Sequence, residues 1–241
     1  MTVMTQLKVY SMLMVAAILA GCSSSYERVA HGIVVNGESQ SVRLEVLADD
    51  IIHVNAVPAG QSFSESESLI AIEQHYSKAY QVTETDTTVV LSTSKLTATI
   101  CKKCVKVSFA DEKGNPIIAE DKRTLEPIEV EGVKGYTMRQ VWNSPSDEAL
   151  YGLGQHQADE WNYKGKNEEL FQYNTKVSVP IIVSSKKYAI LWDNYSLTKF
   201  GDARDYQQLG KVFRLFDKNG EEGALTGTYT PAARTGAQEL V

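Results

Sequence analysis

From residue 40 onward the sequence alternates apolar and polar side chains with a period of two. Val42-Arg43-Leu44-Glu45-Val46-Leu47 is followed, across Asp49-Asp50, by Ile51-Ile52-His53-Val54-Asn55-Ala56-Val57. Alternation of this kind puts every second side chain on one face of an extended strand, so one face can be buried and the other wet. Further runs lie at 79–83, 87–92, 95–100, 105–109, 137–142, 180–184, 188–193 and 212–216. No segment sustains a 3.6-residue period. Many short strands separated by turns predict an all-β fold, an antiparallel β-sandwich. With 241 residues, 43% of them apolar and 22% charged, the chain can bury a core as one large all-β domain or two small ones. Its 24 basic against 30 acidic residues, with no clustered basic face, exclude a nucleic-acid partner.

The N-terminus reads as an address rather than a fold. Lys8 precedes the apolar stretch Val9–Ile18, the length of a secretory core and short for a membrane span. It runs into Leu19-Ala20-Gly21-Cys22 and three serines, which resembles a bacterial lipobox with Cys22 as the lipidated first residue. Several acyl chains, each adding roughly 0.8 kcal/mol per buried methylene, anchor a protein stably where one does not. The expected organisation is a lipoprotein signal peptide (1–21), a lipidated tether (22–38) and a sandwich domain (39–222), held on the periplasmic or outer-membrane face of a cell envelope.

Beyond Cys22 only Cys101 and Cys104 remain, in Ile100-Cys101-Lys102-Lys103-Cys104-Val105 between two alternating runs. Zinc needs two further ligands, and no His or Cys pair with suitable spacing supplies them. A thioredoxin-type pair needs a βαβ setting, which is missing. Two cysteines flanking a hairpin turn, able to bridge in an oxidising compartment, is the preferred reading. Gly152-Leu153-Gly154 lacks the strand–loop–helix context of a phosphate loop; its glycines serve a tight bend after Tyr151. No metal or cofactor is implied.

The long segment 152–178 interleaves Trp161, Tyr163, Phe171 and Tyr173 with Gln155, Asn162, Gln172 and Asn174. Aromatic faces stack on the C–H faces of pyranose rings and amides pair with hydroxyls, so this composition suits a sugar, although half of these aromatics could equally be core. Retaining glycoside hydrolysis needs two carboxylates roughly 5–5.5 Å apart. Of the candidates Asp159/Glu160, Glu168/Glu169 and Asp202/Asp205, the first two pairs are sequence neighbours, which on a strand point to opposite faces. Asp202 and Asp205 flank Arg204 as a solvated turn does. His31, His53, His75 and His156 are scattered. The chain shows no catalytic centre of its own.

Those motifs carry a resemblance. Glu148-Ala149-Leu150-Tyr151-Gly152-Leu153-Gly154-Gln155, then Tyr163-Lys164-Gly165-Lys166, resembles the E-x-x-Y-G-L-G-E … R-G segment of glycoside hydrolase family 31. Leu170-Phe171-Gln172-Tyr173-Asn174 and the stretch from Val179 to Asn194 are similar to that family's L-W-N-x-D and P-F-x-x-S-x-x-G-Y-G-L-x-x-D-N patterns, and Lys95–Gly114 to its D-x-x-G hairpin. The resemblance implies a galactose-mutarotase-like supersandwich preceding a catalytic (β/α)₈ barrel. The barrel's aspartates would perform exo-acting, retaining hydrolysis of α-linked glucose or xylose without a cofactor. No such barrel lies in these residues, so no catalytic position carries over. What carries over is a loop facing the sugar, with Asn174 at the aspartate position and Gln172, Tyr173 and Trp161 as companions. Asn for Asp drops a charge and adds a donor; Gln155 and Lys164 replace the usual Glu and Arg.

Gly223–Tyr229 resembles the opening of the protective-antigen-like insert of some bacterial α-xylosidases that take xyloglucan oligosaccharides. The expectation is therefore a sandwich incomplete at its C-terminus, with residues 223–241 beginning an insert. Function follows as the carbohydrate-binding, supporting N-terminal domain of an α-xylosidase or α-glucosidase, inactive alone, with an α-linked oligosaccharide, the membrane and the barrel as partners. A stand-alone carbohydrate-binding lipoprotein built on Trp161, Tyr163 and Tyr173, or a structural envelope lipoprotein, are the alternatives.

Overall fold

The computed structural model describes residues 25–64, 68–70, 76–77, 79–157, 160–172 and 174–201, and the backbone of three strands within 207–216, 222–229 and 237–240. Among these residues there is no α-helix. The first sheet is a meander of β1 (Tyr26–Val29), β2 (Gly32–Asn36), β3 (Gln40–Ala48) and β4 (Ile51–Pro58) in sequence order. A second meander follows: β5 (Gln81–Glu84), β6 (Thr88–Ser92), β7 (Leu96–Cys101), β8 (Val107–Asp111), β9 (Pro116–Val130) and β10 (Val133–Asn143). β11 (Leu150–Gln155), β13 (Val177–Ser184) and β14 (Ala189–Leu191) form a three-stranded sheet, while β12 (Glu168–Leu170) and β15 (Thr198–Gly201) leave it to join the large one. β16 (Gln207–Phe216) and β17 (Glu222–Tyr229) make a separate hairpin, and β18 (Ala237–Leu240) lies between β15 and β10. The large sheet thus has nine strands, in the order β12-β15-β18-β10-β9-β8-β7-β6-β5.

Two smaller sheets pack on the large one, which makes the fold a sandwich. Ile33, Val35, Val42, Leu44 and Val46 of the first sheet meet Val89, Leu91, Ala98, Ile100 and Val107 of the second in one cluster, all essentially inaccessible. Leu150, Leu153 and Ile182 of the three-stranded sheet meet Leu170 and Phe200 of β12 and β15 in another. In β3 the alternating apolar residues Val42, Leu44 and Val46 are wholly buried, with Ser41 and Glu45 buried on the other face. Burying each of these Val, Leu and Ile side chains contributes about 1.5–3 kcal/mol. Arg123 ties the sheets with polar contacts: its guanidinium donates to Gln140 Oε1 (3.0 Å) and Gln40 Oε1 (3.2 Å) and pairs with buried Glu120.

The structure corrects the expected tether. Residues 26–36 are β1 and β2, and Ile33 and Val35 sit in the core with no exposed surface. Gly32-Ile33-Val34-Val35 has four buried residues in a row, so a strand shielded on both sides shows no alternation by which to recognise it. Cys22 and the leader lie outside the described residues. The long strand β9 lies outside the alternating runs: Glu120-Asp121-Lys122-Arg123 has four charged residues in succession and no period-two pattern. The 223–229 segment is β17, paired antiparallel with β16.

Candidate functional site

The segment from β11 to β13 is shaped by its Gly-Leu-Gly. Gly152, Leu153 and Gly154 all have positive φ (117°, 63° and 95°). That kink drops Leu153 into the core, where it is 1% exposed, and the pairing between β11 and β13 shifts register there. A Cβ at Gly152 would lie 2.3 Å from Ile181 O, and one at Gly154 2.1 Å from Val177 O, so the neighbouring strand closes over both positions. Glycine is needed twice over, for the dihedral and for the approach.

At the start of β11 a buried polar cluster holds the chain. Glu148 is 3% exposed; Ser144 Oγ and Ser184 Oγ donate to its two carboxylate oxygens, and Tyr188 adds a third hydrogen bond. Lys164 Nζ donates to the backbone oxygen of Ser144 (2.9 Å) and stands 4.0 Å from Glu148 Oε2. Burial lowers the Lys164 pKa, opposed by the charges of Glu148 and Asp147. Burial raises that of Tyr188, with its bond to Glu148 adding to the effect. Asn162 Oδ1 accepts from Leu150 N and Lys164 N (2.9 Å each), and Tyr163 N donates to Leu150 O. Trp161, next to this anchor, projects outward at 86% exposed.

At the far end of β11 a second cluster fixes the loop before β13. Lys176, 8% exposed, donates from Nζ to Glu168 Oε1 and Glu169 O (2.5 Å each), with Nζ 5.3 Å from the centre of the Phe171 ring. Ser178 Oγ donates to Phe171 O (3.0 Å). His156 lies under the loop with Nε2 2.7 Å from Leu153 O, so Nε2 carries the proton, and its Nδ1 is 3.2 Å from Glu168 Oε1. These ties close residues 171–176 into a short loop whose tip presents exposed Gln172 and Asn174.

The sequence-predicted residues therefore fall in two places. Gln172 and Asn174 share the loop beside the Gln155–Val177 pair, whereas Trp161 is anchored at Leu150, the other end of β11. Tyr173 lies outside the described residues. Tyr163 is not a surface aromatic: it is 6% exposed in the core cluster and edge-on to His156. The described carboxylates of the candidate pairs are each beside a cation: Glu160 with Lys166, Glu168 with Lys176, Glu169 with Lys199. Asp159, Asp202 and Asp205 lie outside the described residues. Among the described residues no three His, Cys, Asp or Glu come together as a metal site. The residues sequence reasoning missed are Ser144, Ser184, His156 and Lys176. Glu148, the first letter of the Glu-x-x-Tyr-Gly-Leu-Gly motif, and Lys164, at the position of its Arg, were signalled by the motifs.

Residues 41–200 match the model of the glycosyl hydrolase 31 N-terminal galactose mutarotase-like domain. The chain belongs to that family. A crystal structure of a family 31 α-xylosidase from Xanthomonas citri superposes with a TM-score of 0.72 at 39% identity, over 84% of this chain and 24% of that one. An α-xylosidase of Saccharolobus solfataricus is 30% identical over 167 residues, 65% of this chain and 22% of its own length. A soil-metagenome α-xylosidase crystallised with xylose shares the fold at 20% identity and a TM-score of 0.64, over 90% of this chain and 32% of that one. The chain spans about a quarter of the length of these relatives.

Proposed function

We propose that the family 31 domain acts as the supporting, sugar-facing N-terminal part of an exo-acting, retaining α-glycoside hydrolase of α-xylosidase type. The observation that carries this reading is the closed 171–176 loop. Two exposed amides, Gln172 and Asn174, stand on a loop cross-tied by Lys176, Glu168 and Ser178. Preorganised amides pair with sugar hydroxyls at little ordering cost. That the relatives described above are α-xylosidases supports the substrate class. Of the candidate pairs, Glu160, Glu168 and Glu169 are held in ion pairs; on this reading hydrolysis belongs to a catalytic barrel, and xyloglucan oligosaccharides are the proposed natural substrates. Lipidation of Cys22 would hold the assembly at the cell envelope.

The test is an immunoblot of source cells with an antibody against residues 40–150, alongside an assay of the purified chain on an aryl α-xyloside. The reading expects a band several-fold larger than 26.7 kDa and no turnover by this chain. A single band near that mass, or hydrolysis surviving contaminant controls, would overturn it. Trp161 favours a second reading: an indole so fully exposed, away from the loop amides, is what a stand-alone carbohydrate-binding lipoprotein would use as a stacking platform. Oligosaccharide affinity of the short chain, lost in Trp161→Ala, would put that reading first.

A further inference from the structure

The Cys-x-x-Cys segment plays no part in the sugar-facing loop, and its geometry has a chemistry of its own. Cys101 ends β7, and the chain reverses through Lys102, Lys103, Cys104 and Val105 into β8. Cys101 N donates to Lys106 O (3.0 Å) and Val105 N to Cys101 O (2.9 Å). A reversal of this kind holds its first and fourth Cα atoms within about 7 Å, close to the span a disulfide bridges. The sulfurs are drawn together as well: Cys104 N donates to Cys101 Sγ at 3.2 Å, and the two thiols hydrogen-bond each other. Both are free thiols, with Cys104 exposed and Cys101 half-buried.

The turn is pinned rather than loose. Val105 has φ 47°, a left-handed conformation that β-branched residues rarely adopt, yet its side chain is 2% exposed in the core cluster. Relaxing the turn would mean withdrawing Val105 from the core. On the other side Glu38 N donates to Lys103 O (3.4 Å), and a Cβ at Gly37 would lie 2.8 Å from Val105 Cγ1, so the β2–β3 turn closes over it. Burial opposes ionisation of Cys101, but the Cys104 thiol and the N–H groups of Cys104, Lys103 and Val105 outweigh it and bring its pKa down. Burial and the bond to Cys101 move Cys104 up. Lys102 and Lys103 are paired with Glu84 and Glu38, while the Lys106 charge acts on Cys104. The described residues bring no third metal ligand to the pair.

We propose that Cys101 and Cys104 form a reversible disulfide site, closed by exchange with a small-molecule disulfide. The Cys101 thiolate attacks one sulfur of the external disulfide, forming a mixed disulfide and releasing one thiolate. Cys104, losing its proton, attacks Cys101 Sγ and expels the second. The two protons end on the two released thiols; the protein pair is oxidised by two electrons and the external disulfide reduced. Closure staples the β7–β8 turn where it abuts the β2–β3 turn of the facing sheet.

The experiment equilibrates the full chain with oxidised and reduced glutathione, alkylates remaining thiols and maps tryptic peptides without reduction. Trypsin cuts after Lys102 and Lys103, between the cysteines, so a bridge keeps two peptides joined and its absence separates them. Cys22 does not enter this reading. The expected result is concerted loss of both alkylatable thiols, with the peptides joined, and a persistent glutathione adduct on Cys101 in Cys104→Ser. Continued alkylation of both cysteines in excess oxidised glutathione, or a stable mixed disulfide in the unsubstituted chain, would overturn the proposal. So would thiols protected by a retained zinc or copper ion without oxidation, which would make the turn a metal site.

Discussion

Replacing Gly154 by alanine isolates the feature on which the course of the chain from β11 to β13 depends. At φ 95° an L-residue is strained, at a cost of about 1–3 kcal/mol. The new Cβ would also start 2.1 Å from Val177 O and 2.9 Å from Val179 N, both backbone atoms that cannot swing aside. Relief requires β13 to move by roughly 1 Å, which disrupts pairing at Gly154–Ser178 and Gln155–Val177. One or two lost ladder hydrogen bonds add about 1–2 kcal/mol, for a total of about 2–5 kcal/mol. Gly114→Ala is the control, since Gly114 also has positive φ (81°) but nothing within 4 Å of its Cβ position; it should cost about 1 kcal/mol. The assay is urea unfolding followed by midpoint at constant slope. If Gly154→Ala shifted the midpoint no more than Gly114→Ala, close approach of β13 would not be what fixes glycine there.

Four further outcomes follow from the same structure. Lys164→Ala should destabilise by about 3 kcal/mol, because it leaves buried Glu148 without its cation, whereas Lys164→Arg should be nearly neutral in the same unfolding assay. Ile33→Ala should cost about 2–5 kcal/mol, a loss that a tether residue could not produce. Lys102 and then Ser25 hold Glu84 at about 2, against an ordinary 4.5, so its contribution is complete above the unfolded value and disappears as pH falls toward 2. The urea midpoint should therefore decline through that window, and less steeply in Glu84→Gln. Asn174→Ala and Trp161→Ala should each change stability by less than about 0.5 kcal/mol, so that any loss of oligosaccharide affinity measured by titration reports contact with the sugar.

The alternation in Val42–Leu47 and Ile51–Val57 disclosed β3 and β4 because Val42, Leu44 and Val46, with Ile52, Val54 and Ala56, pack on one core cluster, a spacing that period two records directly. β2 stayed hidden because Ile33, Val34 and Val35 are all buried, and a strand covered on both sides loses its periodicity. β9 was hidden for the opposite reason: most of its residues are exposed or half-exposed, and its buried charged side chains, Glu120 and Arg123, pair with each other, with Val107 N donating to Glu120. At the site, Gly-Leu-Gly declared a bend through its composition alone. Ser144, Ser184, His156 and Lys176 gave no signal, because a serine or lysine becomes structural only when folding brings a buried partner to it.

The sequence by itself determined an all-β sandwich, through periodicity and turn chemistry, and the family of its motifs, through residues whose order along the chain is preserved. Both are local or one-dimensional properties, which a linear chain can carry. Tertiary structure alone decided which aromatics face water. Trp161 and Tyr163 stand two residues apart, yet one is almost wholly exposed and the other buried on Leu150, Leu153 and Phe200. It also decided that Glu148 and Lys164 meet beneath β11, and that Trp161 and Asn174 are held at opposite ends of that strand. Burial and pairing are set by what the rest of the chain places alongside a residue, and no window of neighbouring residues contains that information.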